Sequence, residues 1–122
     1  MSKPVALITG GGKRIGAAIS KKLMEMGWYV LIHVNSSVED ARKIISDFSS
    51  KNGGVDCGDV LTGNLLVDLD VESLILNVIN HPAVVESNGL SGLIHNASIY
   101  SSIEINDVDV NIDIPENEDV DQ

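Results

Sequence analysis

The sequence predicts an α/β protein whose elements run β-α-β-α-β-α-β and form a doubly wound parallel sheet. Short apolar runs alternate with stretches whose apolar residues recur at helical spacing. The interior composition is aliphatic, with 43% hydrophobic but only 3% aromatic residues, as in sheets buried on both faces. The first apolar run stops in a glycine cluster, as a parallel strand does where it feeds a helix. Such alternation implies right-handed crossovers with helices on both faces of the sheet.

Pro4 to Thr9, "PVALIT", reads as the first strand. Ile15, Ala18, Ile19, Leu23 and Met26 follow as one helical stripe, and Gly27 stands where a left-handed C-cap is expected. Trp28 to Val34, "WYVLIHV", is the second strand, rich in β-branched and aromatic residues. Ser36 and Ser37 each precede an acid by three residues, a capping-box arrangement. Ala41, Ile44, Ile45 and Phe48 then form a helix face that ends at Asn52-Gly53-Gly54. Leu65 to Leu69, "LLVDL", is expected as the third strand. Val71, Leu74, Ile75 and Val78 give a third helix, closed by His81-Pro82. Leu90 to His95 is the fourth strand. Residues 101–122 hold 8 of the 18 acids and no basic residue, so they read as an acidic loop and disordered tail.

A chain of 122 residues amounts to one domain. No secretory pattern opens it, and no window approaches about 18 unbroken apolar residues, so a cytoplasmic protein off the membrane is expected. The single cysteine, Cys57, has no partner for an internal disulfide and no companions for a metal site. His33 and His81 are too dispersed to form one. All eight Lys and Arg lie between Lys3 and Lys51, against four acids there; the remainder carries fourteen acids and no cation. Such a distribution excludes general nucleic-acid binding, which needs a basic face, but it suits a small polyanion near the N-terminus.

The polyanion site is the stretch Ile8 to Gly16, "ITGGGKRIG", between the first strand and the first helix. There glycines let a ligand approach the backbone, and the free N–H groups of a helix start attract phosphate. The P-loop spacing fails, because no Lys-Ser/Thr pair follows the second glycine. The plain dinucleotide fingerprint also fails, since its third glycine would fall on Ile15.

The longer pattern Thr9-Gly10, three residues, position 14, Ile15-Gly16 resembles the short-chain dehydrogenase/reductase family, whose motif is T-G-x-x-x-G-[I/L]-G. Arg14 replaces the middle glycine, which is similar to the pteridine-reductase and dihydromonapterin-reductase branch. The resemblance implies a Rossmann-type sheet, here incomplete relative to the family, with residues 1–100 as an NADP-binding half domain. It places Gly10, Lys13, Arg14, Ile15 and Gly16 at the cofactor.

The second strand ends in "LIHVNSS", without the Asp or Glu that NAD-binding domains use on the ribose. His33, Asn35, Ser36 and Ser37 are donors compatible with a 2′-phosphate, and charge complementarity with Lys13 and Arg14 favours NADP. The branch carries an arginine where Ser36 stands, which leaves the phosphate grip weaker or resting on Arg14. Asp68-Leu69 matches the family's adenine-contacting Asp-[Val/Leu], with Asp70 a rival by register. "HNAS", His95 to Ser98, resembles the N-N-A-G motif, so Asn96, Ala97 and Ser98 are expected to support the sheet and line the cofactor.

The family's catalytic Tyr-x-x-x-Lys is not matched. Tyr29 and Tyr100 are followed four residues later by His33 and Glu104, and no lysine follows Lys51. No catalytic residue is therefore assigned. Three readings stand: a truncated portion of an NADPH-dependent reductase that acts on a small molecule such as a pterin, a stand-alone nucleotide-binding module, or a remnant without ligand. Family members are usually homo-oligomers, through helices not found in these residues.

Overall fold

A computed structural model describes residues 3–96. Its elements in chain order are β1 (Val5–Thr9), α1 (Arg14–Glu25), β2 (Tyr29–Val34), α2 (Val38–Lys51), β3 (Gly58–Thr62), α3 (Asp68–Ile79), α4 (Pro82–Glu86) and β4 (Gly92–His95). The four strands form one parallel sheet in the order β3-β2-β1-β4. The expected doubly wound α/β architecture is therefore observed. The stretch 101–122 and the expectation of an acidic tail lie outside the described residues.

The central strands β1 and β2 are buried along their whole length, because helices cover both of their faces. Ile8, Val30, Ile32 and Val34 pack with Met24 of α1 and with Ala41 and Ile44 of α2. Val5, Leu7, Tyr29 and Leu31 point the other way, toward Leu74 and Val78 of α3 and Val84 of α4. Strand alternation thus sends successive aliphatic residues into two separate cores.

Helix α1 ends as its sequence predicts. Gly27 takes φ +91°, its N–H donates to the Met24 carbonyl at 3.0 Å, and the Trp28 N–H donates to that of Leu23 at 2.9 Å. These are the two bonds of a Schellman motif. The buried stripe, however, is Gly16, Ser20 and Met24, while Ile15 is 68% exposed and Met26 is exposed as well. The face is rotated because a close contact at Gly16, described below, sets the helix against the sheet.

The third strand is a correction. It runs over Gly58–Thr62, and the expected strand at 65–69 is instead a turn leading into α3. Asn64 explains the displacement. Its side-chain oxygen accepts from the Leu66 N–H at 2.9 Å, its own N–H donates to Asp70 Oδ2 at 2.8 Å, and its carbonyl accepts from Val67. Turn chemistry of this kind overrides the apolar run that follows.

Nor does the capping box at Ser36 and Ser37 form: Ser37 is the N-cap of α2, but without a side-chain cap bond. Helix α3 ends at Ile79, just before His81-Pro82 as expected, but the same pair also starts the short helix α4. His81 caps α4 by accepting the Ala83 N–H at Nδ1 (3.1 Å), while Nε2 donates to Asp59 at 2.8 Å.

Cys57 precedes β3 and is 2% exposed, within the core under α2. Burial pushes its thiol above the ordinary value, against a weaker opposing pull from Lys3. Because the thiolate is the reactive form, native protein at pH 8 should react with a disulfide reagent about 100-fold slower than a free thiol. Stopped-flow absorbance with and without guanidinium measures this, and an equally fast native rate would contradict the buried placement.

Candidate functional site

Strands β1, β2 and β3 are added in one direction, and the chain then returns to lay β4 on the other side of β1. The strand order reverses between β1 and β4, and in open α/β sheets ligands bind outside the carboxyl ends of the strands at such a point. Thr9 and Asn96 mark those ends here. The Thr9 hydroxyl accepts the Asn96 N–H at 2.9 Å and lies 2.9 Å from His95 Nδ1. Asn96 Nδ2 donates to the Gly10 carbonyl at 3.1 Å.

Gly10 turns the chain out of β1 at φ +65°. The start of α1 then drops onto this turn at Gly16. A Cβ there would collide with the Gly10 carbonyl oxygen and lie 2.6 Å from Asn96 Nδ2 and 2.8 Å from Gly11 Cα. Only glycine permits that approach. One turn further, the buried Ser20 hydroxyl lies 3.1 Å from the Gly11 carbonyl oxygen and 2.8 Å from that of Gly16.

The packing leaves a row of backbone donors. The first bond at the α1 start runs from the Ala17 N–H to the Lys13 carbonyl at 3.2 Å. Among the described residues, the N–H groups from Gly12 to Gly16 have no acceptor. No side chain caps α1, and its first turn holds no acid; Lys13 and Arg14 stand there instead. Arg14 adopts φ +52°, the left-handed region in which glycine is at ease. That backbone angle accounts physically for a glycine at this motif position.

His33 requires a correction. It is 2% exposed, and both of its ring nitrogens are engaged inside the protein. Nδ1 accepts from the Gly10 N–H at 3.3 Å, and Nε2 is 2.8 Å from the Gly63 carbonyl oxygen. A single tautomer, protonated at Nε2, satisfies both contacts. His33 thus ties the glycine turn to the end of β3 and is not a free donor for a 2′-phosphate. Asn35 and Ser36 are exposed and Ser37 is half-buried, so these three remain available. Lys13 Nζ lies 3.5 Å from Asp40 Oδ2, which links the glycine loop to the first turn of α2.

Asp68 and Leu69 open α3. Both are exposed, at the start of a helix rather than the end of a strand. The residues that follow β3 are Gly63 and Asn64. Asp70 acts structurally, through its bond to the Asn64 N–H. Ala97 and Ser98 lie outside the described residues. Tyr29 starts β2, at the end of the sheet opposite to the loop, and burial pushes its phenol above the ordinary value. Ser20 and Asp40 were not legible as site residues, since a serine or an aspartate in a helix carries no spacing signal.

The geometry agrees with what similarity to known proteins shows. A model of the short chain dehydrogenase family matches residues 4–114. The chain belongs to that family. It is 36% identical over 69 residues to a probable tetrahydroxynaphthalene reductase of Zymoseptoria tritici, a match covering 52% of this chain and 26% of that one. To YusS of Bacillus subtilis, a short-chain dehydrogenase/reductase homolog, it is 29% identical over 105 residues, covering 86% of this chain and 89% of the relative.

Among solved structures, the fold is similar to YwfH, described as an NADPH dependent reductase involved in bacilysin biosynthesis, with a TM-score of 0.65 at 21% identity. That likeness covers 80% of this chain and 38% of YwfH. The likeness to gox2181 has a TM-score of 0.62 at 20% identity, over 78% of this chain and 34% of that protein. The chain thus spans about a quarter to two fifths of the longer relatives and most of YusS. No helix among its described residues is long and apolar enough to cross a membrane.

Two substitutions probe the loop. Gly16→Ala should destabilise the fold by about 2–3 kcal/mol, because the backbone must shift away from Gly10. His33→Leu should cost about 2–3 kcal/mol by leaving the Gly10 N–H and the Gly63 carbonyl unpaired. Urea unfolding monitored at Trp28 measures both, and a change below about 0.5 kcal/mol would contradict the corresponding contact.

Proposed function

We propose that this member of the short chain dehydrogenase family binds NADP through the crevice at the ends of β1, β2 and β4, as the cofactor-binding part of an NADPH-dependent reductase. One observation carries the reading: α1 begins uncapped, with free N–H groups from Gly12 to Gly16 and with two cations at its positive dipole end. Each cation there opposes the macrodipole by about 0.3–1 kcal/mol, an arrangement that a bound anion reverses. The residues therefore fit a dinucleotide phosphate. Gly10, Ile15 and Gly16 shape the cradle, and Asn96 fixes its floor.

For the adenosine 2′-phosphate, Arg14, Lys13, Asn35, Ser36 and Ser37 supply charge and donors. The absence of any acid from Asn35 to Ser37 supports NADP over NAD. The description of YwfH as an NADPH dependent reductase agrees with it. The cofactor supplies hydride when bound; this chain's own residues bind and orient it. Residues 1–100 are the proposed cofactor-binding unit. Pterin-like substrates are proposed from the resemblance of Arg14 and Ser98 to pteridine reductases, and they concern a protein that includes the catalytic pair.

A second reading is a nucleotide-binding module without chemistry. The 122 residues contain no Tyr-x-x-x-Lys, and Tyr29 is buried away from the crevice. An assay of NADPH oxidation beside calorimetric binding separates the two, since binding with no turnover supports the module.

Arg14→Gly tests the cofactor assignment, because it moves two quantities in opposite directions. Relief of the left-handed angle should stabilise the fold by up to about 1 kcal/mol. Loss of the guanidinium should weaken NADPH about tenfold and leave NADH within about twofold. Equal losses for the two cofactors, or no NADPH binding at millimolar concentration by the unmodified chain, would overturn the reading.

A further inference from the structure

The Lys13–Asp40 ion pair crosses the mouth of the proposed 2′-phosphate site. Lys13 is the N-cap of α1, and Asp40 stands in the first turn of α2, five residues after Asn35. Their charged atoms are 3.5 Å apart, with side chains 61% and 54% exposed. Arg14, by contrast, has no ion-pair partner among the described residues. One of the loop's two cations is therefore already matched by a carboxylate of the protein, and the other is not.

We infer that Asp40 is a specificity-determining residue, an internal anion that holds Lys13 in the place a ribose 2′-phosphate would take. The inference rests on the nucleotide-binding reading and sharpens it. A 2′-phosphate carries nearly two negative charges at pH 7, so it must draw Lys13 away from Asp40 and stand close to that carboxylate. A plain 2′-hydroxyl meets neither obstacle and can donate to a carboxylate. Asp40 therefore lowers affinity for the phosphorylated nucleotide while leaving the unphosphorylated one little changed, which narrows the preference that Arg14 creates. Solvent at half-exposed side chains keeps the pair weak, and the effect is accordingly one of tuning.

The test uses the full 122-residue chain and the probes 2′,5′-ADP and 5′-AMP, with calorimetry at low and at physiological salt. Asp40→Asn should tighten 2′,5′-ADP by about three- to tenfold and change 5′-AMP by less than about twofold. The gain should shrink as salt rises. A double-mutant cycle then isolates the route. In a Lys13→Met background the Asp40→Asn gain should fall by at least half, because the tethered cation is gone. Thermal unfolding of each variant registers any loss of α2 stability from its first turn.

A gain equal for both probes, no gain, or a gain undiminished without Lys13 would each overturn the inference, the last by showing plain repulsion. If the unmodified chain binds 2′,5′-ADP and Asp40→Asn changes nothing, only this inference fails. If it binds neither probe nor NADPH, the nucleotide reading fails with it.

Discussion

The carboxyl end of this sheet depends on how closely α1 is drawn onto the Gly10 carbonyl. That oxygen accepts from Asn96 of the segment after β4 and stands where a Cβ of residue 16 would be. Three separate pieces of chain thus meet at one atom. Helix α1 keeps its tilt only while residue 16 lacks a side chain, and the bond from Asn96 joins β4 to the same turn. Ser20, one turn along, engages the Gly11 carbonyl and stops the loop from lifting away. The donors from Gly12 to Gly16 are exposed as a consequence, since the contact commits the carbonyls to the interior.

On that frame the electrostatics run against local preference. A helix start favours acids, and α2 and α3 obey, with Glu39 and Asp40 in one first turn and Asp68 and Asp70 in the other. Among the long helices of the described residues, α1 alone puts cations there. Arg14 adds backbone strain, holding a left-handed angle that would suit glycine. Two departures from local preference fall at the same few residues, in a chain of net charge −10, and they are what the proposed anion site would account for.

Much of this was legible in advance. The apolar runs gave β1, β2 and β4 to within two residues, and Gly27 marked the end of α1 through its need for a positive φ. Residue spacing reached the family motif and, through it, the loop. What escaped were features decided by side chains meeting at a distance. "LLVDL" reads as a strand until Asn64 spends its hydrogen bonds on a turn, and "GDVLT" pairs with β2 although its pattern is the weaker of the two. His33 reads as a donor because histidines near phosphates often are. Its burial between Gly10 and Gly63 follows only from how three strand ends converge, twenty-three and thirty residues apart in sequence.

His33 engages both ring nitrogens with the Gly10 turn and the end of β3. With the histidine occupied inside, charge for a phosphate comes from the loop, and the segment after β2 offers only neutral amide and hydroxyl groups. The loop itself hangs from β1 and β2, the two strands buried along their full length. By contrast, exposed apolar side chains such as Leu69 and Leu76 sit on α3, which supplies none of the hydrogen bonds that hold Gly10 and Gly11. Rigidity is therefore concentrated under the backbone cradle, and the adaptable, solvent-screened part is the outer rim of Lys13, Arg14 and Asp40. A phosphate placed by backbone N–H groups and discriminated by side chains at such a rim separates affinity from selectivity. On the proposed reading, that division would let a single carboxylate on α2 alter which nucleotide is preferred while leaving the cradle's shape intact.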